Sequence, residues 1–138
     1  ELKNRKRRGT VFLNKDIKLN GRQFRKILFN GSTPPHQATL FGPGCRKYLN
    51  EYSSDFLLAA DLNYFLRISK NNSLKVLVRD LQIVEICIGG ISSKQTQVRI
   101  KEVIRSYRKS FQYLWIWPLF TRYIIRLKDV IISYFDKI

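Results

Sequence analysis

The sequence predicts an α/β fold that combines a few short strands with several amphipathic helices. In several segments apolar residues recur every three or four positions, which is the spacing of a helix that buries one face. Residues 74–88 instead carry alternating or consecutive β-branched side chains, which is typical of strands. A chain of 138 residues with 44% hydrophobic residues has the size and composition of one domain with an apolar core.

The first predicted elements are a short strand over 10–13 and a helix over 21–29. The run TVFL indicates the strand, and the helix is indicated by Phe24, Ile27 and Leu28, which fall on one face. The sequence Asn-Gly-Ser at 30–32 is expected to end the helix, because these residues favour turns.

The next segment, PPHQATLF at 34–41, contains the only histidine of the chain. Because proline fixes its own backbone and restricts the residue before it, we expect His36 and Gln37 to be held in place ahead of a short strand over 38–41. A turn at 42–44 follows. A single imidazole cannot build a metal site, so the first hypothesis for His36 alone is a structural hydrogen bond.

The middle of the chain predicts a helix over 56–69 and two strands within 74–88. The helix has apolar residues at helical spacing, and Ser54 or Asp55 is expected to cap its start. The two strands are expected to flank residues 79–81, and Gly89-Gly90 is expected to end the second one.

The last third predicts two helices, and we expect a division between a first part over 1–92 and a basic helical tail over 93–138. Pro118 is expected to interrupt the long helix that begins after Ser93, and a second amphipathic segment follows. The apolar face of the first helix is predicted to hold Val98, Ile100, Val103, Ile104, Tyr107, Phe111, Leu114 and Trp115, and that of the second Phe120, Tyr123, Ile124, Leu127, Val130, Ile131, Tyr134 and Phe135.

The chain has a strong excess of positive charge. It contains 26 Lys and Arg against 10 Asp and Glu, a net charge of +16. This excess predicts attraction to nucleic acid, an anionic bilayer or phosphorylated substrates, without choosing among them. The basic residues are concentrated in Lys3–Arg8 and in residues 92–128, where Glu102 is the only acid.

Several other classes of protein are disfavoured. Cys45 and Cys87 are too few and too far apart for a disulfide framework or a metal site, which favours reduced thiols in the cytoplasm. No run of eighteen apolar residues predicts a transmembrane helix, and the basic start is not followed by the apolar stretch of a secretory signal. Because methionine is absent even at position 1, we expect Glu1 to be an interior residue of a longer polypeptide.

Asp61 is the first candidate for chemistry. It lies near the start of an otherwise apolar helical segment, after two alanines that leave room around its carboxylate. Partial burial disfavours the charged form of a carboxylate and so makes it a stronger base, which suits a general base. A helix cap or an ion pair with a basic neighbour explains the same residue, so both interpretations stay open on periodicity alone.

Three short motifs, in this order, resemble the C-terminal half of bacterial family 2 glycosyltransferases with the GT-A fold. They are HQATLF at 36–41, AADLNYFLRI at 59–68 and GGIS at 89–92. Each motif alone is weakly specific, and the resemblance as a whole covers about residues 9–105. The resemblance implies that the predicted α/β fold is the acceptor side of a GT-A domain, with few strands in a mixed arrangement, and that a helical tail follows it.

The resemblance implies inverting transfer of a sugar from a nucleotide-sugar donor to a saccharide or lipid-linked acceptor in surface polysaccharide biosynthesis. Asp61 matches the family's catalytic base, which should lie half shielded from solvent beside the imidazole of His36. His36 and Gln37 match residues of the donor and acceptor pocket, and His36 is also a candidate metal contact. The last motif matches the edge of the pocket, although a plain strand-to-helix turn explains it nearly as well; its candidate residues are Gly89, Gly90 and Ser92.

Two departures from the family pattern matter. Leu62 stands where the family usually has an aromatic residue. More importantly, the family binds its nucleotide through an N-terminal βαβ unit and an Asp-x-Asp motif for Mg²⁺ or Mn²⁺, and no Asp-x-Asp occurs in this sequence. A metal-bridged diphosphate needs such carboxylates. We therefore expect the divalent cation site in a longer protein and no turnover from this chain alone.

The composition of the tail suggests a membrane surface. Trp115, Trp117, Arg122 and Arg126 are expected to face a bilayer interface at the inner side of the cell membrane, where a lipid-linked acceptor would be met. An equally weighted alternative is that the two helices pack on the protein and leave their charges in water.

The rival hypothesis for function is a basic nucleic-acid-binding module or an inactive membrane-surface module. Cationic patches with interleaved aromatic residues also bind phosphate backbones and stack bases. The basic residues are scattered over several predicted helix faces, and the sequence shows no RNA-binding or helix-turn-helix signature, which disfavours nucleic acid.

Overall fold

The computed structural model describes residues 16–45, 53–79 and 95–135. Three predictions lie outside the described residues: the strand over 10–13, the second strand of the 74–88 pair, and the motif formed by Gly89, Gly90, Ile91 and Ser92.

The described residues form a mixed α/β fold that is mainly helical, which confirms the predicted class. Two short strands pair in antiparallel fashion, with Ile17 opposite Val78 and Asn20 opposite Lys75. Helix α3 packs against helix α2, and helix α1 contacts α2 and α4. In chain order the elements are β1 (Ile17–Asn20), α1 (Gly21–Phe29), α2 (Ala60–Ile68), β2 (Lys75–Val78), α3 (Thr96–Phe111) and α4 (Ile116–Phe135).

Helix α1 has the predicted bounds, and both of its ends are built by local sequence. At its start the Asn20 side chain accepts a hydrogen bond from the backbone of Gln23, and the Gln23 side chain accepts one from the backbone of Asn20, both at 2.9 Å. This reciprocal cap satisfies two helix-end donors. At its end Gly31 has a φ of +79°, a conformation that glycine adopts at little cost, and its amide donates to the carbonyl of Leu28.

The core is formed by the inner faces of α1, α2 and α3. Phe24 of α1 meets Phe65 of α2 edge to face, with ring centroids 6.1 Å apart. Helix α3 adds Val103 and Tyr107, which lie beyond the sequence division expected at residue 92 and share the same core. The buried apolar residues are Phe24, Leu28, Phe56, Ala59, Leu62, Tyr64, Phe65, Leu66, Ile68, Leu74, Val103 and Tyr107.

The predicted strand over 38–41 is wrong. His36–Ala38 form a single 3₁₀ turn, in which the carbonyl of Pro35 accepts from the Ala38 amide at 3.1 Å and from the Thr39 hydroxyl at 2.9 Å. Residues 39–42 follow without strand pairing to any described residue. The apolar residues of this segment are explained differently, because Phe41 packs on the core while Leu40 is exposed to solvent.

The break between the last two helices is also placed differently from the prediction. Helix α3 ends at Phe111, where Gln112 adopts a φ of +49°, and a 3₁₀ turn over Gln112–Trp115 leads into α4. Pro118 is the third residue of α4 and does not interrupt a helix. In the first turn of a helix the missing proline N–H has no intrahelical acceptor to lose, so Pro118 is well accommodated.

Gly31 provides a test of how α1 is joined to α4. A Cβ at this position would lie 2.7 Å from the Cα of Arg122, so Gly31→Ala combines a backbone strain with a backbone clash. We predict that Gly31→Ala lowers the free energy of unfolding by at least about 2 kcal/mol in urea titrations.

Gly42→Ala is the matched control, because a Cβ at Gly42 would meet no atom within 4 Å. Its free energy of unfolding should stay within about 0.5 kcal/mol of the wild type. Equal stability of the two variants would contradict the described contact between the 31–33 turn and α4.

Candidate functional site

The structure brings His36 and Asp61 together at the surface. The Nδ1 atom of His36 lies 3.4 Å from the Oδ1 atom of Asp61, and the two side chains are 40% and 46% exposed. His36 comes from the 3₁₀ turn and Asp61 from the first turn of α2. The pair therefore joins two segments that are distant in sequence and leaves both groups accessible to a molecule from solvent.

The imidazole is positioned by the turn and by an aromatic neighbour. The bonds to the Pro35 carbonyl fix the backbone that carries His36, and the ring of Phe41 lies 6.4 Å from the imidazole, centroid to centroid. Phe41 in turn packs edge to face on Tyr64, which is buried in α2. The His36 side chain thus rests on the aromatic part of the core, whereas its neighbour Gln37 is exposed.

Asp61 is the second residue of α2, at the end of the helix where the backbone N–H groups point outward. The cap position of this helix is Ala59, which supplies no side-chain hydrogen bond. The start of a helix is electrostatically favourable for an anionic side chain. Both observations agree with the second of the two open interpretations, an acid at a helix start that pairs with a basic neighbour, whereas the general-base interpretation stays a prediction.

The backbone before α2 is held by Glu102, a residue of α3. One carboxylate oxygen of Glu102 accepts from the amide of Leu57 at 2.9 Å, and the other accepts from Leu58 and Ala59 at 2.8 Å each. Three donors at the start of the helix are satisfied by one side chain from another helix. We name this arrangement the Glu102 clamp.

Helix α2 begins later than the sequence predicts. The expected helix over 56–69 begins at Ala60, and the amides of residues 57–59 ahead of it donate to the Glu102 carboxylate. The expected caps are wrong: neither Ser54 nor Asp55 provides one, and Asp55 pairs instead with Arg105 at 3.8 Å. A non-local cap of this kind leaves no trace in the periodicity of the helix itself.

The electrostatics of Glu102 reflect its hydrogen bonds. Burial raises the pKa of this carboxyl, but the three backbone donors and the nearby Arg105 together outweigh burial and lower the pKa below the ordinary value. Hydrogen bonds to the charged form have this effect on carboxylates. Sequence reasoning had one signal for Glu102, namely that it is the single acid in a basic stretch of nine Lys and Arg over 92–128.

The tail residues that were expected at a membrane interface have different surroundings. Trp117 is exposed, whereas Trp115 packs partly on the core with the guanidinium of Arg108 4.4 Å from its ring centroid. The guanidinium of Arg122 is turned inward and donates to the hydroxyl of Thr33. Arg126 lies over the ring of Tyr123 at 6.0 Å.

Arg122 also affects a buried phenol. Tyr107 is fully buried, and this burial raises its pKa, while the positive charge of Arg122 works in the opposite direction. Since desolvation prevails, Tyr107 stays neutral in the physiological range and belongs to the core rather than to a reactive centre.

The described residues do not assemble a metal centre. Within 16–45, 53–79 and 95–135, no group of three or more His, Cys, Asp and Glu side chains is placed to hold an ion. His36 lies beside the carboxylate of Asp61. The divalent cation implied by the resemblance was expected in a longer protein, so it stays a prediction.

None of the described helices is at once long and apolar enough to cross a bilayer.

Searches with protein-family models, curated proteins and solved structures yield no match to this chain. The candidate site is accordingly assessed from its own geometry.

The Glu102 clamp predicts a specific loss of stability. Replacing Glu102 by Gln removes the charge and turns an amide NH₂ toward backbone donors, so Glu102→Gln should lower the free energy of unfolding by about 2 kcal/mol at pH 7. A carboxyl group whose pKa is lower in the folded state stabilises the fold at a pH above the pKa of the unfolded chain. This stabilisation is lost as the pH falls through the folded-state pKa. The difference between wild type and variant should therefore shrink below about pH 4.3.

Asp55→Asn is the control, because it removes an acid from an exposed ion pair with Arg105 near the same helix start. Exposed pairs contribute little, so this variant should change the free energy of unfolding by less than about 1 kcal/mol. The clamp would be refuted if wild type and Glu102→Gln differed in free energy of unfolding by no more than the control value, less than about 1 kcal/mol. That difference would also have to stay the same from about pH 3 to about pH 7.

Proposed function

We propose that this chain forms the acceptor side of an inverting glycosyltransferase, with Asp61 as general base and His36 as its positioning partner. The observation that carries the proposal is the 3.4 Å contact between the His36 imidazole and the Asp61 carboxylate in a half-exposed location. The resemblance of the motifs around these residues suggests the reaction class, and the half-exposed carboxylate, which an acceptor could reach, supports the role of Asp61.

The reaction assigns one step to Asp61. The acceptor hydroxyl oxygen forms a bond to the anomeric carbon, the bond from that carbon to the diphosphate oxygen breaks, and the nucleoside diphosphate leaves with the electron pair. The hydroxyl proton passes to the Asp61 carboxylate. General-base assistance of this kind contributes about 10²–10⁴ in rate, provided that the base is within hydrogen-bond reach of the proton.

Accessibility of the pair supports this role. A carboxylate that served only to stabilise the fold could be closed off, but a base for an incoming alcohol must be open on one side and held on the other. Asp61 meets both conditions, since its side chain is half exposed and its helix start is fixed by the Glu102 clamp. The imidazole beside it orients the carboxylate.

The donor side is assigned to residues outside the described part of the chain. Nucleotide-sugar binding with Mg²⁺ or Mn²⁺ needs carboxylates that the described residues do not bring together. The proposal therefore concerns the acceptor side of the reaction.

The test is Asp61→Asn in the longest protein that carries this chain. The probes are UDP-, GDP- and dTDP-activated hexoses with a polyprenyl-pyrophosphoryl sugar as acceptor, and the readout is acceptor-dependent release of nucleoside diphosphate. We expect the variant to lose at least about 100-fold in turnover. Binding of the donor should change by less than about twofold, because the carboxylate acts on the acceptor.

Asp16→Asn is the matched control, since Asp16 is also half exposed and paired with one basic residue, Arg79, at 3.2 Å. It should leave turnover unchanged. Equal turnover of Asp61→Asn and Asp16→Asn would remove Asp61 from its role, as would wild-type protein that transfers no sugar from any of these donors.

A further inference from the structure

Helix α4 exposes a continuous apolar stripe along its whole length. Successive members of the stripe are spaced by four or seven residues, which places them on one helix face. Their side chains are between 46% and 68% exposed, and the helix segment they span is about 28 Å long. We name this set the α4 stripe: Ile116, Phe120, Leu127, Ile131 and Phe135.

The opposite face of α4 fixes the stripe in its outward orientation. Pro118 is fully buried and Leu119 packs on the core. Arg122 donates to the Thr33 hydroxyl, and Gly31 lies against the backbone of Arg122. Because these contacts hold the first half of the helix from inside, the stripe cannot turn inward without breaking them.

An apolar stripe of this size indicates an interaction surface. Soluble monomers rarely expose contiguous apolar patches larger than a few hundred Å² unless the patch binds something. Within the described part of the chain, nothing covers these five side chains. The question is therefore which partner fits the surroundings of the stripe.

Charge decides between an anionic bilayer and a second copy of the chain. From residue 103 to 135, where the stripe ends, the sequence contains six basic residues and one acid, Asp129. Lys128 is exposed next to the stripe, and Arg108 is exposed near the junction of α3 and α4. A second copy, with the same net charge of +16, would bring like charges together, whereas anionic headgroups would be complementary.

The aromatic residues at the start of α4 point to the same partner. Tyr113 and Trp117 are both exposed and lie at the end of the stripe where Arg108 is found. Rings with an apolar body and a polar edge are favoured at the level of lipid headgroups. A helix with an apolar face and a basic border lies in the plane of such an interface.

We propose that α4 binds an anionic lipid surface with the α4 stripe inserted among the acyl chains. Lys128 and Arg108 contact the headgroup phosphates. This surface differs from the one expected from the sequence, because Arg122 faces Thr33 and takes no part in it. The inference does not depend on the sugar-transfer chemistry, and it can fail or hold independently of it.

The test measures partition of the full chain onto vesicles by co-sedimentation. Vesicles of phosphatidylcholine with about one third phosphatidylglycerol should bind it at least about tenfold more tightly than pure phosphatidylcholine. The double variant Phe120→Ser with Leu127→Ser should lose at least about tenfold in partition onto the anionic vesicles, because two apolar side chains no longer enter the acyl region. Both positions are exposed in the free protein, so the fold should be unaffected.

The matched control is Leu40→Ser with Leu57→Ser, which removes two apolar side chains that are 89% and 78% exposed elsewhere on the surface. Its partition should stay within about twofold of the wild type, since both side chains lie outside the stripe. A second readout uses Trp115→Phe, which leaves Trp117 as the only tryptophan. Brominated lipids should quench its fluorescence on binding.

Three results would overturn the proposal. The first is equal partition of the stripe variant and the control variant. The second is an absence of vesicle binding together with a dimer in analytical ultracentrifugation, if the double variant Phe120→Ser with Leu127→Ser dissociates that dimer. The third is salt-sensitive binding to a random oligonucleotide that persists in the stripe variant while vesicles do not bind.

Discussion

The carboxylate of Glu102 ties the start of helix α2 to helix α3, and the arrangement of the molecule depends on this tie. Three backbone donors would otherwise face solvent or remain without acceptors at the point where the chain enters the core. One charged side chain satisfies all three, and hydrogen bonds to a charged acceptor are among the stronger ones in proteins. The clamp thus joins the segment that carries Asp61 to the helical tail that follows it.

The position of Asp61 is a consequence of this constraint. Residues 57–59 are fixed by Glu102, and Asp61 follows directly in the first turn of α2. On the other side, the turn after Pro35 and the packing of Phe41 on Tyr64 fix His36. Two segments that are anchored separately meet at the pair, and the 3.4 Å contact between the imidazole and the carboxylate joins them.

Helix α4 is also fixed by contacts from another segment of the chain. Its inner face is anchored by the Gly31 turn and by the contact from Arg122 to Thr33, and its outer face carries the apolar stripe. The amphipathic pattern of this helix was visible in the sequence. The side of the helix that faces the protein was not visible in the sequence. Periodicity shows only that the apolar residues share one face of the helix, and that face is then assumed to point inward.

Local sequence predicts the elements whose ends are built locally. Helix α1 has the predicted bounds because Asn20, Gln23 and Gly31 cap it from within a few residues. Strand β2 is found where β-branched residues alternate. The sequence predicts a strand over 38–41 wrongly because the prolines and Thr39 favour a turn that closes on the Pro35 carbonyl. The start of α2 was beyond such reasoning, since its cap comes from Glu102.

Amide hydrogen exchange at Leu57, Leu58 and Ala59 tests the central claim most directly. If the Glu102 clamp exists, these three amides exchange as slowly as the amide of Asn63, which donates within α2. In Glu102→Gln, the exchange of these three amides should accelerate together, while the Asn63 amide stays protected. Fast exchange of all three amides in the unaltered protein would contradict the account, because it would mean that the carboxylate does not hold them.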